Sequence, residues 1–306
     1  MILSICWKKI KVTFQYIIKK IIKEKFIIIK KFKTNNNKFI IIKKNNKTKI
    51  VKIFLNKRKT YYKNELLGYN SFYKYKYKNL NLPKLSNISL SKKTKHIVVD
   101  YINGKKPGIY DLKKILESNM PNIINKMNVT KYIKEIEKHY HKNITKKKIS
   151  LITSKIKHSN ILTTNSHGDY AFYNMIKRKN KIFLIDFEKF RNRIIFFDQI
   201  NLIAHTSLFN ISKYLVVFKK FYIYNKLSTL ISNNLYYLIY FLLKKKLNFY
   251  NIYIKDFKLY YLLYLIEKKI IFNIDIKDLN RIDEIKYIKK IINIINLNIS
   301  YLIKKL

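Results

Sequence analysis

Cysteine, glycine, proline and acidic residues are all scarce in this chain of 306 residues, which holds 1 Cys, 4 Gly, 3 Pro and 17 Asp+Glu. The lone Cys6 excludes an intrachain disulfide and any cysteine-based zinc site, and it suits a reducing compartment. Long apolar runs are missing as well. The two most apolar stretches, LYYLIYFLL (235–243) and LYYLLYLI (259–266), are bounded by Lys or Glu. Both fall short of the roughly 18 residues that a membrane-spanning helix needs. They read as buried helices. The opening MILSICWKKIKV has neither a charged n-region nor a long apolar core, so a secretory signal is not expected.

What the chain has in excess is lysine. Sixty-six Lys+Arg against 17 Asp+Glu give a formal charge of +49. That surplus fits a polyanionic partner such as nucleic acid, an anionic membrane surface or a phosphate-rich substrate. A bias towards AT-rich codons is the better explanation, because it raises Lys, Ile, Asn and Tyr on every face while depleting Gly, Pro, Ala and Arg. The lysines are spread along the whole chain, so charge alone selects no partner. No specific nucleic acid is expected, and a peripheral contact with an anionic membrane stays open. Disorder is excluded, since 48% of the residues are hydrophobic and every segment has its share.

Residues 24–55 read as strands: KFIIIKKF, KFIIIKKN and KIVKIFLN are short Ile-, Val- and Phe-rich runs separated by the turns KTNNN and NNKTK. An antiparallel meander follows from that spacing. RKTYYKNELLGYNSFYKY (58–75) reads as a helix, and KHIVVDYI (95–102) as a further apolar run ending in the turn NGKKPG. That turn is the expected lobe boundary. Beyond it, VTKYIKEIEKHYHK carries Val129, Ile133 and Ile136 at helical spacing. NMIKRKN and KIFLIDFEKF form a small strand pair, and from about 198 onward the pattern is helical. The fold class expected is α+β and two-lobed, with a β-rich lobe at 1–102 and a helical lobe at 103–306.

Chemistry concentrates in NSHGDYAFYNM (165–175) and FLIDFE (183–188). Asp169 and Asn174 bound a short loop, and Asp186 follows Asn174 by twelve residues, at the end of the apolar run Ile182–Ile185. The three can converge on one cleft. Together they supply oxygen ligands for Mg²⁺ and one carboxylate free to orient a hydroxyl, which are the parts that phosphoryl transfer needs.

An Asp, four residues, an Asn, then an apolar strand ending in Asp-Phe resembles a kinase catalytic loop with its metal-binding aspartate. The His-Gly-Asp opening, with IDFE in place of Asp-Phe-Gly, resembles the aminoglycoside phosphotransferase/choline kinase-like family, which has a protein kinase-like fold. The resemblance implies that Asp169 is the catalytic base, that Asn174 and Asp186 hold Mg²⁺, and that His167 supports the loop. Asp198, in FFDQINLI, would brace the loop from beneath. The match is specific over about residues 160–205 and looser over 38–105.

The same family uses a phosphate-binding Lys paired with a Glu. Lys52 lies inside an apolar strand, on the face of Ile50 and Phe54, where an unpaired charge is costly. Glu65, a rare acid on the next helix, is its natural partner, and Lys49 competes with Lys52 for the role. VVDYINGK resembles the segment joining the lobes, so the backbone of Asp100 and Ile102 would bind the adenine. The turn KTNNN departs from the family pattern, for it has no glycine where a Gly-rich loop would cover the phosphates.

The function expected is transfer of the γ-phosphoryl of ATP or GTP to a hydroxyl of a small molecule or saccharide, such as a cell-surface glycan or lipid-linked sugar. A catalytically degenerate kinase fold, a basic nucleic-acid or membrane-surface binder, and a protein kinase are the rival readings. Asp275, Asp278, Asp283 and Glu284 read as an exposed amphipathic helix rather than a cationic-substrate site. A cytoplasmic or membrane-peripheral location is expected.

Overall fold

The structure is a computed structural model that describes residues 15–34, 37–54, 59–74, 80–86, 88, 90, 95–118, 124–140, 160–215, 221–276 and 282–305. Cys6, the tip of KTNNN and Asp278 lie outside these residues, as do the side chains of Asp275, Asp283 and Glu284. The chain falls into two compact units: Met1–Met120 with His167–Arg191, and Pro121–Ser166 with Asn192–Leu306.

The first unit is built on a four-stranded antiparallel sheet of β1 (Ile27–Lys33), β2 (Asn37–Lys44), β3 (Lys47–Phe54) and β5 (His96–Asp100) in the order β1-β2-β3-β5. The meander is as expected from the Ile-rich runs. A two-residue turn joins β2 to β3, with Asn45 at φ 48° and Asn46 at φ 58°. Two consecutive left-handed residues match the right-handed twist of a hairpin, and Asn takes that conformation where this glycine-poor chain has no Gly. One face of the sheet packs Ile40, Ile42, Val51, Ile53 and Val98 against Ile17 and Ile21 of a helix over 15–23 (α1). Strand alternation then sends Lys52 to the other face.

On from the meander come α2 (Lys59–Lys74), the two-residue β4 (Leu80–Asn81), and α3 (Leu112–Ser118) behind a 3₁₀ turn at Ile109–Asp111. The hairpin of β8 (Met175–Arg178) and β9 (Lys181–Leu184) belongs to this unit, and β9 also pairs in parallel with β4.

The second unit holds β6 (Asn125–Asn128), β7 (Asn160–Ser166) and, all but its first residue, β10 (Arg191–Ile194), in the order β10-β7-β6. Its helices are α4 (Val129–Tyr140), α5 (Phe197–Leu215), α6 (Phe221–Phe249), α7 (Ile254–Ile276) and α8 (Ile282–Lys305). Val129, Ile133 and Ile136 are buried as their spacing predicts, joined by Tyr132. At the centre Arg193, fully buried, donates from Nε to Glu267 at 2.7 Å, and Glu267 also accepts from the hydroxyls of Tyr132 (2.8 Å) and Tyr140 (3.0 Å).

The helix run 259–266 is buried throughout, but the run 235–243 is not. Tyr237, Leu238, Phe241 and Leu242 are exposed, which corrects the expectation of a buried helix there. An unbroken apolar run does not reveal which side of the helix meets the core. Among the described residues no helix is long and apolar enough to cross a membrane. The class is mixed α+β, an antiparallel N-terminal sheet followed by a helical C-terminal part, as the sequence leads one to expect.

Candidate active site

His167 and Asp169 face each other across Gly168, whose φ of 82° lies in the left-handed region that glycine enters without strain. This bend lets the backbone N–H of Asp169 donate to His167 Nδ1 at 3.2 Å. With Nδ1 accepting, the ring proton sits on Nε2, and Nε2 donates to the carbonyl of Ile185 at 2.8 Å. His167, fully buried, thereby ties the loop to the residue before Asp186.

The loop is closed from its other end by Asn174. Asn174 Nδ2 donates to the Asp169 carbonyl at 2.8 Å, and the Ile185 N–H donates to the Asn174 carbonyl at 3.0 Å. The β8–β9 pairing of Met175 with Leu184 continues that register, so the base of the hairpin sets Asn174 beside the approach to Asp186. The Asp169 carboxylate accepts from the Tyr173 hydroxyl at 2.7 Å through Oδ1, and Lys189 Nζ stands 3.7 Å from Oδ2.

Lys52 is 6% exposed and has three carboxylates around it: Asp186 at 2.6 Å, Glu188 at 2.7 Å and Glu65 at 3.1 Å. Ligand atoms of Glu65, Asp186 and Glu188 all lie within 4.8 Å of one another. Three acids share one ammonium, which leaves a surplus of negative charge that favours a proton or a cation. Burial alone would depress the Lys52 ammonium, but Asp186, Glu65 and Glu188 hold it well above the ordinary lysine value. Burial, reinforced by Asp186 and Glu188 and opposed by Lys52, pushes the Glu65 carboxyl up to about 8. Asp186 itself has φ 68°, a conformation rare for a residue with a side chain and one that tends to persist at functional sites.

Phe187 anchors this aspartate. Its ring lies 4.7 Å from His167, 4.9 Å from Tyr69 and 4.9 Å from Phe72, the latter two on α2. Gly68 makes that approach possible, since a Cβ there would lie 2.5 Å from the Phe187 Cβ. The packing links the helix that carries Glu65 to the segment that carries Asp186.

The pair Lys52–Glu65 is thus formed as the sequence suggested, while Lys49 is engaged elsewhere, with Ser86 and with Asp100 at 3.3 Å. Asp198, in the first turn of α5, accepts from the Ser166 hydroxyl at 2.7 Å, and Ser166 directly precedes His167. Asp100 and Ile102 are not part of the carboxylate cluster. They border a cavity of about 630 Å³ with Thr48, Leu85, Ile88 and Tyr101. The N–H groups of Asp100 and Tyr101 are taken by the carbonyls of Lys84 and Thr48, each at 3.0 Å.

Sequence reasoning missed Glu188, Tyr173, Lys189 and Asn37. Asn37 donates to the Glu188 carboxylate across 151 positions of chain. No local pattern points to Glu188, because the left-handed Asp186 at φ 68° breaks the strand alternation that would relate the two acids of IDFE.

The order of sheet and helices defines a protein kinase-like α+β fold, and solved structures share that fold. The chain superposes on an assigned aminoglycoside phosphotransferase from Ralstonia eutropha with TM-score 0.51 at 10% identity, over 91% of this chain and 93% of that one. A fructosamine-3-kinase assignment from Haemophilus somnus gives TM-score 0.52 at 15% identity, over 89% and 92%. The GDP and kanamycin complex of APH(2″)-IIia gives 0.52 at 10%, over 89% and 93%. No protein-family model and no curated protein matches the sequence. The chain has the fold of the aminoglycoside phosphotransferase/choline kinase-like kinases.

Proposed function

We propose that this protein is a phosphotransferase that moves the γ-phosphoryl of ATP or GTP to a hydroxyl of a small molecule or saccharide. The observation that carries the reading is the joint placement of two groups in one compact unit. One is Asp169, fixed by Asn174 and Tyr173; the other is Asp186, held at positive φ against the buried Lys52–Glu65 pair. In this role Asp169 accepts the proton of the acceptor hydroxyl as its oxygen bonds to phosphorus and the bond to the nucleoside diphosphate breaks.

The donor set fits a divalent cation. Asp186 and Glu188 offer carboxylates, Asn174 offers an amide oxygen, and the cluster carries excess negative charge. Mg²⁺ held there would neutralise the phosphate oxygens. Lys52 then serves the nucleotide phosphates, with Glu65 orienting its ammonium. His167 and Asp198 position the loop without touching the reacting atoms, and the backbone of Asp100 and Ile102 serves the nucleobase. Kanamycin and GDP occupy one structure of this fold, which supports a nucleotide with a hydroxyl-bearing saccharide as the substrate pair.

The test is transfer of labelled γ-phosphate from ATP and GTP to water and to a panel of saccharides, with wild type and Asp169→Asn. The substitution is expected to lower the rate by about 10²-fold or more, the scale of a positioned base, while nucleotide binding persists. An Asp169→Asn protein that transfers phosphate at the wild-type rate would remove Asp169 from the mechanism.

A further inference from the structure

The helix α6 carries an apolar stripe that its own unit leaves open. Tyr237, Phe241 and Phe249 are exposed by 55%, 75% and 73%, and Leu238 and Leu242 by 44% each. Tyr237, Phe241, Lys245 and Phe249 follow one another at four-residue steps, as do Leu238 and Leu242, so all six share one helical face. The other face, with Leu235, Ile239, Leu243 and Leu247, is buried. Tyr253 and Ile254 extend the exposed apolar surface into the start of α7. An open patch of this kind on a folded unit marks a contact with something else.

Two features say what the contact is with. Lys244 and Lys245 are exposed in the last turns of α6, Lys245 within the stripe itself, and Lys255 is exposed just beyond Ile254. Asp256 is the one exposed acid among them. Aromatic and aliphatic side chains flanked by lysine stems are suited to the boundary between lipid headgroups and acyl chains, with the ammonium groups among anionic headgroups. The second feature is the formal charge of +49, which opposes the approach of a second copy of the chain to the same face and favours an anionic surface. Codon bias accounts for lysines everywhere; it does not gather the large apolar residues onto the outward side of one helix.

We propose that the α6 stripe docks the protein onto an anionic lipid bilayer, with Phe241 and Phe249 inserted and Lys244 and Lys245 facing the headgroups. The docking stands independently of the phosphotransferase reading, because it needs neither nucleotide nor Asp169.

The experiment is co-sedimentation of the full chain with phosphatidylcholine vesicles, with and without phosphatidylglycerol, at near-physiological salt. Wild type is compared with Phe241→Ser/Phe249→Ser and with Lys244→Glu/Lys245→Glu. All four side chains are exposed, so the variants keep the fold, which thermal unfolding checks. Binding to the anionic vesicles alone is expected, weakened by about tenfold or more in the serine pair and also weakened in the glutamate pair. Three results would overturn the proposal. One is wild-type binding by the serine pair, which would assign attachment to bulk charge. Another is no vesicle binding at all. The third is a concentration-dependent dimer that the serine pair dissolves, which would assign the stripe to a second copy.

Discussion

Around Lys52 three carboxylates compete for one ammonium, and this imbalance governs how the site responds to protons and cations. The Glu65 carboxyl is raised from 4.5 to about 8 in the folded protein. Between those two values the native state keeps a proton that the unfolded chain has already released. Stability is therefore fullest below the unfolded value and declines as pH rises through the window towards 8. Glu65→Gln, which cannot ionise, is expected to flatten that slope, and urea unfolding across the pH range reads it; an unchanged slope would show that another group is responsible. A divalent cation at Asp186 and Glu188 competes for the same charge, so its binding should expel the proton. Glu65 and Lys52 were legible in the sequence because a buried strand lysine demands a partner. Glu188, Tyr173 and Lys189 were not, since only the folded backbone brings them to Lys52 and Asp169.

At the scale of elements, α2 and the Asp186 segment are coupled through a single close approach. A Cβ at Gly68 would meet Phe187 Cβ at 2.5 Å and its ring atoms at 2.7 Å. Gly68→Ala is expected to cost about 1–3 kcal/mol by overpacking, visible as a lower urea midpoint, and to weaken cation binding because Phe187 adjoins Asp186. A variant as stable as wild type would mean that α2 shifts freely. In the second unit, Glu267→Gln leaves the Arg193 guanidinium buried without its counter-charge. The expected loss is about 3–5 kcal/mol; a loss below about 1 kcal/mol would show the pair to be dispensable. The β1–β3 meander and α2 were legible because their β-branched runs, Asn turns and helical spacing agree locally. β6, β7 and β10 were not, because NKMN, NILTTNS and RNRI are polar and take strand geometry only from partners distant in sequence. The exposed half of α6 was misread for the opposite reason: a uniformly apolar run hides which of its faces is covered.

For the whole molecule, the two compact units divide the chemistry unevenly. Every residue proposed for the phosphoryl-transfer cluster, from Lys52 and Glu65 to Asp169, Asn174, Asp186 and Glu188, belongs to the first unit, although Lys52 and Asp169 lie 117 positions apart in sequence. Fold class was readable from the order of strands and helices. The acceptor was not, because the helical unit is written in Lys, Ile, Leu and Tyr with few side chains of distinctive chemistry. The account rests on a working nucleotide site. Its most direct test is calorimetric titration of ATP and GTP, with and without Mg²⁺, into wild type and Asp186→Asn. The account predicts binding that requires the cation and is weakened by about tenfold or more in the variant, the effect of removing one ligand charge. A folded wild-type protein that binds neither nucleotide in the presence of Mg²⁺ would contradict it.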